Sequence, residues 1–216
     1  MPAVLDEAGA QRPPRKPLGA ALVAALVVVI VGAMSFGRPA WPVWGASDGA
    51  ASTEATAPDF ALTNQDGQRV TLRQFRGKIV LMNFIYTHCT DVCPLAQLKL
   101  ARVQEDLKVR GWFGTRVVFL SVTFDPARDT PAVMQAYARR FRADPAGWHF
   151  LTGPPRVVDR VLKAYRIPVR AVGATGTFEH ALPTLVIDGR GVVLGHYEPD
   201  FTPANVARDL ARLLGT

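Results

Sequence analysis

The stretch that decides the fold is Ile79-Val80-Leu81-Met82-Asn83-Phe84-Ile85-Tyr86-Thr87-His88-Cys89-Thr90-Asp91-Val92-Cys93-Pro94. Its first eight residues carry no charge and are rich in β-branched and aromatic side chains, which predicts a buried central strand. Apolar side chains then recur at helical spacing, at Leu95, Leu98, Val103 and Leu107. Pro94 suits the first turn of such a helix and Gly111 suits its end, so the stretch predicts a strand, a turn and a helix.

The cysteines lie at this predicted turn and are the only two in the 216-residue chain. Cys89 and Cys93 are four residues apart, which on one helical turn places their Cβ atoms about 5–6 Å apart. Such a pair can close a disulfide or bind one soft metal ion. A helix N-terminus favours thiolates, so thiols at this position are expected to have lowered pKa values. A purely structural disulfide would close almost no loop and stabilise little. Redox chemistry and metal binding therefore both remain open.

The N-terminal part predicts attachment to a membrane. No charged residue occurs between Pro17 and Gly37, and basic residues precede this apolar span, which orients the N-terminus towards the cytoplasm. The predicted organisation is a cytoplasmic tail at 1–17, a transmembrane anchor at 18–37, a flexible tether at 38–58 and a folded domain at 59–216. The domain would lie on the periplasmic side of the inner membrane, anchored by a single span. A cleaved signal peptide is the alternative interpretation of the span.

The charge distribution argues against a nucleic-acid partner. The net charge is +7, and four of the 25 basic and four of the 18 acidic residues precede residue 59. The basic surplus therefore lies in the domain, but without clusters of Lys and Arg. This pattern predicts a solvated surface suited to an acidic partner or anionic lipid.

The remaining elements predict an α/β fold. They are a hairpin at 60–62 and 70–72, a second buried strand at 117–124, helices at 131–141 and 157–165, a short strand at 148–152, a hairpin at 184–187 and 192–197, and a closing helix at 203–214. The helix that carries the cysteines separates the two buried strands, which should therefore run parallel. This order is typical of a thioredoxin-like fold, with a central mixed sheet, flanking helices and an extra N-terminal hairpin.

The motif at 89–94 reads Cys-x-x-x-Cys-Pro, with three residues between the cysteines where thioredoxin-type oxidoreductases have two. It resembles the motif of the Sco/SenC family, membrane-anchored copper chaperones of cytochrome oxidase assembly. The stretches at 58–60, 77–81, 124–126, 129–131 and 148–153 are also similar to that family. The most specific similarity is His180, eight residues before Asp188.

The resemblance implies that Cys89, Cys93 and His180 hold one copper ion, Cu(I) or Cu(II). It implies delivery of that ion to the binuclear CuA centre of a cytochrome c oxidase subunit. Another periplasmic copper chaperone or a thiol reductase would be a further partner. The ligand types agree with this function, since thiolates suit Cu(I), imidazole helps to accommodate Cu(II), and a closed zinc site would need a fourth ligand.

The alternative function is that of a thiol:disulfide oxidoreductase that reduces the cysteines of the oxidase copper site. Cys89 and Cys93 would then be a redox-active pair, Cys89 attacking and Cys93 resolving, and His180 would be dispensable. Pro183 supports this alternative, because thioredoxin-fold oxidoreductases carry a cis-proline at a similar place.

Four further residues around the motif are assigned supporting roles. His88 is expected to tune the thiolate charge or to meet a partner, and Asp91 is expected to be exposed. Asp125 and Asp129 follow the second parallel strand, where they are expected to orient His180 or meet a partner. A helix cap is the alternative role for Asp129.

Overall fold

The computed structural model describes residues 55–90, 92–172, 177–180 and 183–215, without the side chains of residues 170–182. The predicted tail at 1–17, the anchor at 18–37 and most of the tether lie outside these residues. No helix within the described ranges has the length and apolar character needed to cross a membrane.

The described strands form one large mixed sheet and one small hairpin. The strands are β1 (Ala55–Thr56), β2 (Ala61–Asn64), β3 (Arg69–Thr71), β4 (Ile79–Ile85), β5 (Val117–Thr123), β6 (Trp148–Thr152), β7 (Val169–Val172), β8 (Thr177–His180), β9 (Thr184–Ile187) and β10 (Val192–Tyr197). Eight of them form a sheet in the order β1-β10-β9-β4-β5-β6-β2-β3, and β7 pairs with β8. The helices are α1 (Val92–Val109), α2 (Pro131–Arg140), α3 (Pro155–Ala164) and α4 (Pro203–Leu213), with a 3₁₀ helix at Leu72–Phe75.

The central strand of the sheet is β4, and all seven of its residues are buried. It pairs in parallel with β5, from Ile79 opposite Val117 to Ile85 opposite Thr123, and antiparallel with β9. Burial on both faces explains why its sequence is a continuous apolar run instead of an alternating one. Because β4 and β5 are parallel and in register, the loops that follow them meet at one edge of the sheet. The predicted parallel pair and both predicted hairpins, β2–β3 and β9–β10, are confirmed.

The orientation of α1 differs from the prediction. Leu95 and Leu98 were expected on its apolar face, but they are 52% and 55% exposed. The face that packs on the sheet consists of Cys93, Ala96, Gln97, Leu100, Val103, Gln104 and Leu107. The helix has more apolar residues than one face can hold, and the sheet takes the set that includes Cys93. The prediction was therefore right for Val103 and Leu107 and wrong for the two leucines nearest the cysteines.

The sheet also begins earlier than the expected domain boundary at residue 59. Ala55 and Thr56 form β1, which pairs with Val193 and Val192 of β10. Ala57 is buried, and its N–H donates to the carbonyl of Gly191 at 2.8 Å. Residues at the end of the predicted tether therefore cover the edge of β10, which would otherwise expose unpaired backbone groups.

Candidate metal centre

The two cysteines lie where β4 passes into α1. Cys89 is in the turn after the strand, and Cys93 is in the first turn of the helix. Both are free thiols; Cys93 is fully buried and Cys89 is 8% exposed. The backbone N–H of Cys93 donates to Sγ of Cys89 at 3.5 Å. The fold therefore brings the two sulfur atoms to one place, with Cys89 closer to solvent than Cys93.

The acid–base behaviour of Cys93 contradicts the expected lowering of thiol pKa values. Burial raises the pKa of the Cys93 thiol more than the hydrogen bond with the backbone of Tyr86 lowers it, and the charges of Cys89 and Asp129 raise it further. The free-energy cost of removing a thiolate from water is larger here than the stabilisation that the helix N-terminus gives it. Cys93 is therefore protonated in the metal-free protein, and its proton must leave when the sulfur binds a cation.

Asp129 fastens the cysteine loop to the sheet. Its carboxylate is fully buried and accepts three hydrogen bonds, from the hydroxyl of Thr123 (2.5 Å), the hydroxyl of Thr87 (2.5 Å) and the N–H of Thr87 (3.2 Å). Thr123 is the last residue of β5, and Thr87 lies two residues before Cys89. Burial nevertheless raises the pKa of Asp129, because desolvation outweighs these hydrogen bonds. Asp129 therefore positions the loop that carries Cys89.

The alternative role of Asp129 as a helix cap is wrong. Thr130 caps α2 instead, since its hydroxyl accepts from the N–H of Val133 at 3.4 Å. The neighbouring Asp125 is buried and forms an ion pair with Arg128 in its own loop. Its N–H also donates to the hydroxyl of Thr123 at 2.9 Å. The predicted orientation of His180 by these carboxylates involves a side chain outside the described part.

Tyr137 is a residue near the thiols that the sequence did not single out. It lies on α2, is 3% exposed, and its hydroxyl has no hydrogen-bond partner among the described residues. Burial raises its pKa, and the charges of Cys93 and Cys89 raise it further. Tyr137 therefore lies close enough to both thiols for their charges to disfavour its ionisation. In the sequence it is one more amphipathic residue of a helix, and no motif marks it.

A second buried polar group lies beneath the thiols. Gln97 is fully buried one helical turn after Cys93, and its Nε2 has no partner among the described residues. Its Oε1 lies 3.4 Å from the hydroxyl of Ser121, which donates to Oδ1 of Asn83 at 2.8 Å. Nε1 of Trp148 donates to the same hydroxyl at 3.0 Å. These side chains join α1 to β4, β5 and β6 one helical turn after Cys93.

Three of the four histidines have described side chains, and their surroundings differ. His88 is exposed, with Nδ1 3.3 Å from the hydroxyl of Thr87. The ring of His149 packs against Phe75, and burial lowers its pKa. His196 is 2% exposed, with Nε2 3.2 Å from a carboxylate oxygen of Glu198. The latter two therefore belong to the packed sheet and not to the cysteine loop.

His180 ends β8, where its backbone lies opposite Val169 of β7. Its side chain, like Asp91 between the cysteines, lies outside the described part. Within that part, no group of three or more His, Cys, Asp or Glu side chains is placed to hold a metal ion. No peptide bond between described residues is cis, and the bond before Pro183 begins at Leu182, outside them. The structure thus brings Cys89 and Cys93 together, and His180 stays a prediction as the third ligand.

The mixed sheet and the cysteines at the strand-to-helix turn define a thioredoxin-like protein. The family model for SCO1/SenC matches residues 48–215, and the chain belongs to that family. This result confirms the resemblance found in the sequence.

Known proteins of the family agree with this assignment. The chain is 36% identical over 162 residues to Protein SenC of Rhodobacter capsulatus, covering 74% of this chain and 70% of the relative. It spans only 34% of the length of one mitochondrial relative. A structure of Bradyrhizobium japonicum ScoI with copper bound has 31% identity and a TM-score of 0.66, covering 74% of this chain and 99% of the other. BsSco, described as having a disulfide switch and as a member of the Sco family of cytochrome c oxidase assembly proteins, has 25% identity and a TM-score of 0.64, with coverage of 74% and 94%.

Proposed function

We propose that this protein binds one copper ion through Cys89, Cys93 and His180 and delivers it to the CuA centre of a cytochrome c oxidase subunit. The observation that carries the proposal is the pair of free, buried thiols at the N-terminal turn of α1. Two soft sulfur ligands on one turn suit Cu(I), and a chain 31% identical in sequence has been solved with copper bound. The anchor at 18–37 would hold the domain on the periplasmic side of the membrane, near the oxidase.

The surroundings of the thiols support reversible binding of this cargo. Cys89 is the more exposed sulfur and would receive copper first, whereas Cys93 would lose its proton as copper arrives. Asp129 would keep the loop in place while the coordination changes. Transfer would proceed by ligand exchange, as thiolates of the acceptor replace those of Cys89 and Cys93. A second copper chaperone or a thiol reductase of the periplasm would load or reduce the site.

The second candidate function is thiol:disulfide exchange with the acceptor. The N–H of Cys93 touches Sγ of Cys89, and Cys89 is the more accessible thiol, an arrangement that suits an attacking and a resolving cysteine. The Cys89 thiolate would attack the acceptor disulfide and release one acceptor thiolate. The Cys93 thiolate would then attack Sγ of Cys89, form the Cys89–Cys93 disulfide and release the second. The acceptor gains two electrons and the chain loses two.

Three variants expressed at low copper separate the two functions. Copper delivery predicts that His180→Ala and Cys89→Ser both abolish oxidase activity, because each removes a ligand. His88→Ala is the comparison variant: this exposed histidine beside Cys89 is expected to tune the thiolate or meet a partner, so its loss should reduce activity less than the loss of a ligand. Near-normal activity in His180→Ala with none in Cys89→Ser would favour the oxidoreductase. Loss of activity in His88→Ala but not in His180→Ala would show that the third ligand is assigned to the wrong histidine.

A further inference from the structure

Two exposed leucines follow the cysteine turn. Leu95 and Leu98 are 52% and 55% exposed and lie one helical turn apart, two and five residues after Cys93. In the described part they are two of three large hydrophobic residues with such exposure, the third being Val109 at the far end of α1. Single exposed leucines are common on protein surfaces. Here two of them share the face of α1 that starts next to the proposed copper site.

This face continues into a groove between α1 and α2. The groove has a volume of about 440 Å³. Its lining includes Leu98, Ala101 and Arg102 of α1, and Arg140, Phe141 and Arg142 at the end of α2. Leucine, alanine and phenylalanine make its walls apolar, and three arginines surround them. We call the combined surface, from Leu95 to Arg142, the leucine–arginine groove.

The positive charge of the arginines in the groove is only weakly neutralised by acidic side chains of the groove itself. Glu105 is its one acidic lining residue, and its carboxylate accepts from Nε2 of Gln104 at 2.9 Å and lies 3.8 Å from Nζ of Lys108. The exposed guanidinium groups of Arg102, Arg140 and Arg142 form no ion pair with any carboxylate of the described residues. Arg140 stacks over the ring of Tyr137, which leaves its outer N–H groups available. The groove therefore combines apolar walls with a positive rim.

We propose that the leucine–arginine groove docks an acidic segment of the copper-accepting protein, with an apolar side chain of that segment between Leu98 and Phe141. The inference rests on the proposed copper delivery and names the surface that guides it. Leu98 follows Cys93 by five residues, an axial rise of about 7.5 Å along α1. Leu98 faces solvent whereas Cys93 faces the sheet, so a segment in the groove would lie on the outer face of the helix that carries Cys93 and hold the acceptor beside the N-terminal half of that helix. The three arginines would attract its carboxylates, and electrostatic attraction of this kind speeds association.

A concave groove between two helices fits a protein side chain better than the plane of a lipid surface. The groove also combines apolar and arginine side chains, the two kinds of surface that form the centre and the charged rim of protein interfaces. We therefore assign the groove to a protein partner and treat anionic lipid as an outcome of the test.

The test measures binding of the full-length chain in neutral-lipid nanodiscs to the soluble copper-binding domain of the oxidase subunit from the same organism. The groove variant is Arg102→Glu/Arg140→Glu/Arg142→Glu. The matched control is Arg69→Glu/Arg156→Glu/Arg160→Glu, which changes three exposed arginines outside the groove by the same total charge. We expect the groove variant to weaken binding at least about tenfold at low salt, and the control to change it less than about twofold. The difference should vanish near 1 M salt, where the Debye length is about 3 Å.

Copper content and release of copper to a small chelator should be the same in the groove variant and the wild type, since neither depends on docking. A second variant, Leu95→Asn/Leu98→Asn, should weaken binding at high salt as well, because it removes apolar contacts. Equal binding by the groove variant and its control would overturn the proposal. A second result would also overturn it. If anionic lipid in the nanodisc weakens binding by the wild type but not by the groove variant, the groove belongs to the membrane. Tight docking without copper transfer would support the groove and contradict the proposed function instead.

Discussion

Replacing Asp129 by alanine should have two effects: the loop that carries Cys89 becomes more mobile, and the folded domain becomes less stable. Asp129 is fully buried and accepts hydrogen bonds from two threonines that lie 42 residues before it and six residues before it in the chain. Alanine leaves the hydroxyl of Thr123, itself fully buried, without its acceptor, and the N–H of Thr87 likewise. A buried donor left unpaired costs about 1–3 kcal/mol.

These two donors together predict a loss of about 3–4 kcal/mol in the free energy of unfolding. The hydroxyl of Thr87 adds little, because Thr87 is half-buried and can turn to water. Relief from burying a carboxylate offsets part of the loss, since desolvation already raises the pKa of Asp129. Asp129→Asn keeps the shape and one acceptor oxygen, so it should cost only about 1 kcal/mol.

Denaturant unfolding of the wild type, Asp129→Ala and Asp129→Asn measures the stability, and alkylation of Cys89 under native conditions measures the loop. Asp159→Ala is the control, an exposed aspartate paired with Lys163, with an expected change below about 0.5 kcal/mol. Alkylation of Cys89 should be faster in Asp129→Ala and unchanged in the control. If Asp129→Ala loses less than about 1 kcal/mol and alkylates at the wild-type rate, Asp129 does not position the loop.

Two further substitutions test buried groups. Tyr137→Phe should change the free energy of unfolding by less than about 1 kcal/mol, because the hydroxyl has no partner to lose, whereas Tyr137→Ala should cost about 3–5 kcal/mol in lost packing. Denaturant unfolding decides this, and a large loss in Tyr137→Phe would reveal a bond from that hydroxyl. Burial lowers the pKa of His149 below its ordinary value of 6.5. As the pH falls, the unfolded chain therefore binds a proton at this residue before the folded chain does. Wild-type stability should therefore fall below about pH 6.5, by at most about 1.4 kcal/mol per pH unit from this group, and His149→Phe should remove that part of the slope. Parallel pH profiles of the two proteins would contradict this account.

The sequence predicted those parts of the fold that short-range patterns determine. The uncharged run at 79–86 indicated a strand because it is short and rich in β-branched and aromatic residues, and a strand buried on both faces is apolar along its whole length. The hairpin between β2 and β3 follows from the turn at residues 64–68, where Gly67 has a φ of +78°. The cysteine turn was predicted for the same reason, since a strand pattern changes there into a helix pattern within a few residues.

Parts that depend on distant residues were not predictable. Gln104 is buried on α1 because its side chain accepts from the N–H of Asp144 and donates to the carbonyl of Arg142, about 40 residues away. Leu98 on the same helix is 55% exposed, although leucine is the more apolar residue. The role of Asp129 likewise depends on Thr87, which lies 42 residues earlier, before α1 and β5. Neither contact can be predicted from a periodic pattern in the sequence.

The central claim is tested most directly by X-ray absorption at the copper edge of the full-length chain purified under reducing conditions. We expect one copper ion per chain, with two sulfur ligands in the wild type and a nitrogen ligand that is absent in His180→Ala. Cys93→Ser should lose one sulfur from the spectrum and most of the bound copper. Copper bound at the same stoichiometry and with the same sulfur signal after substitution of Cys89 or Cys93 would contradict the claim.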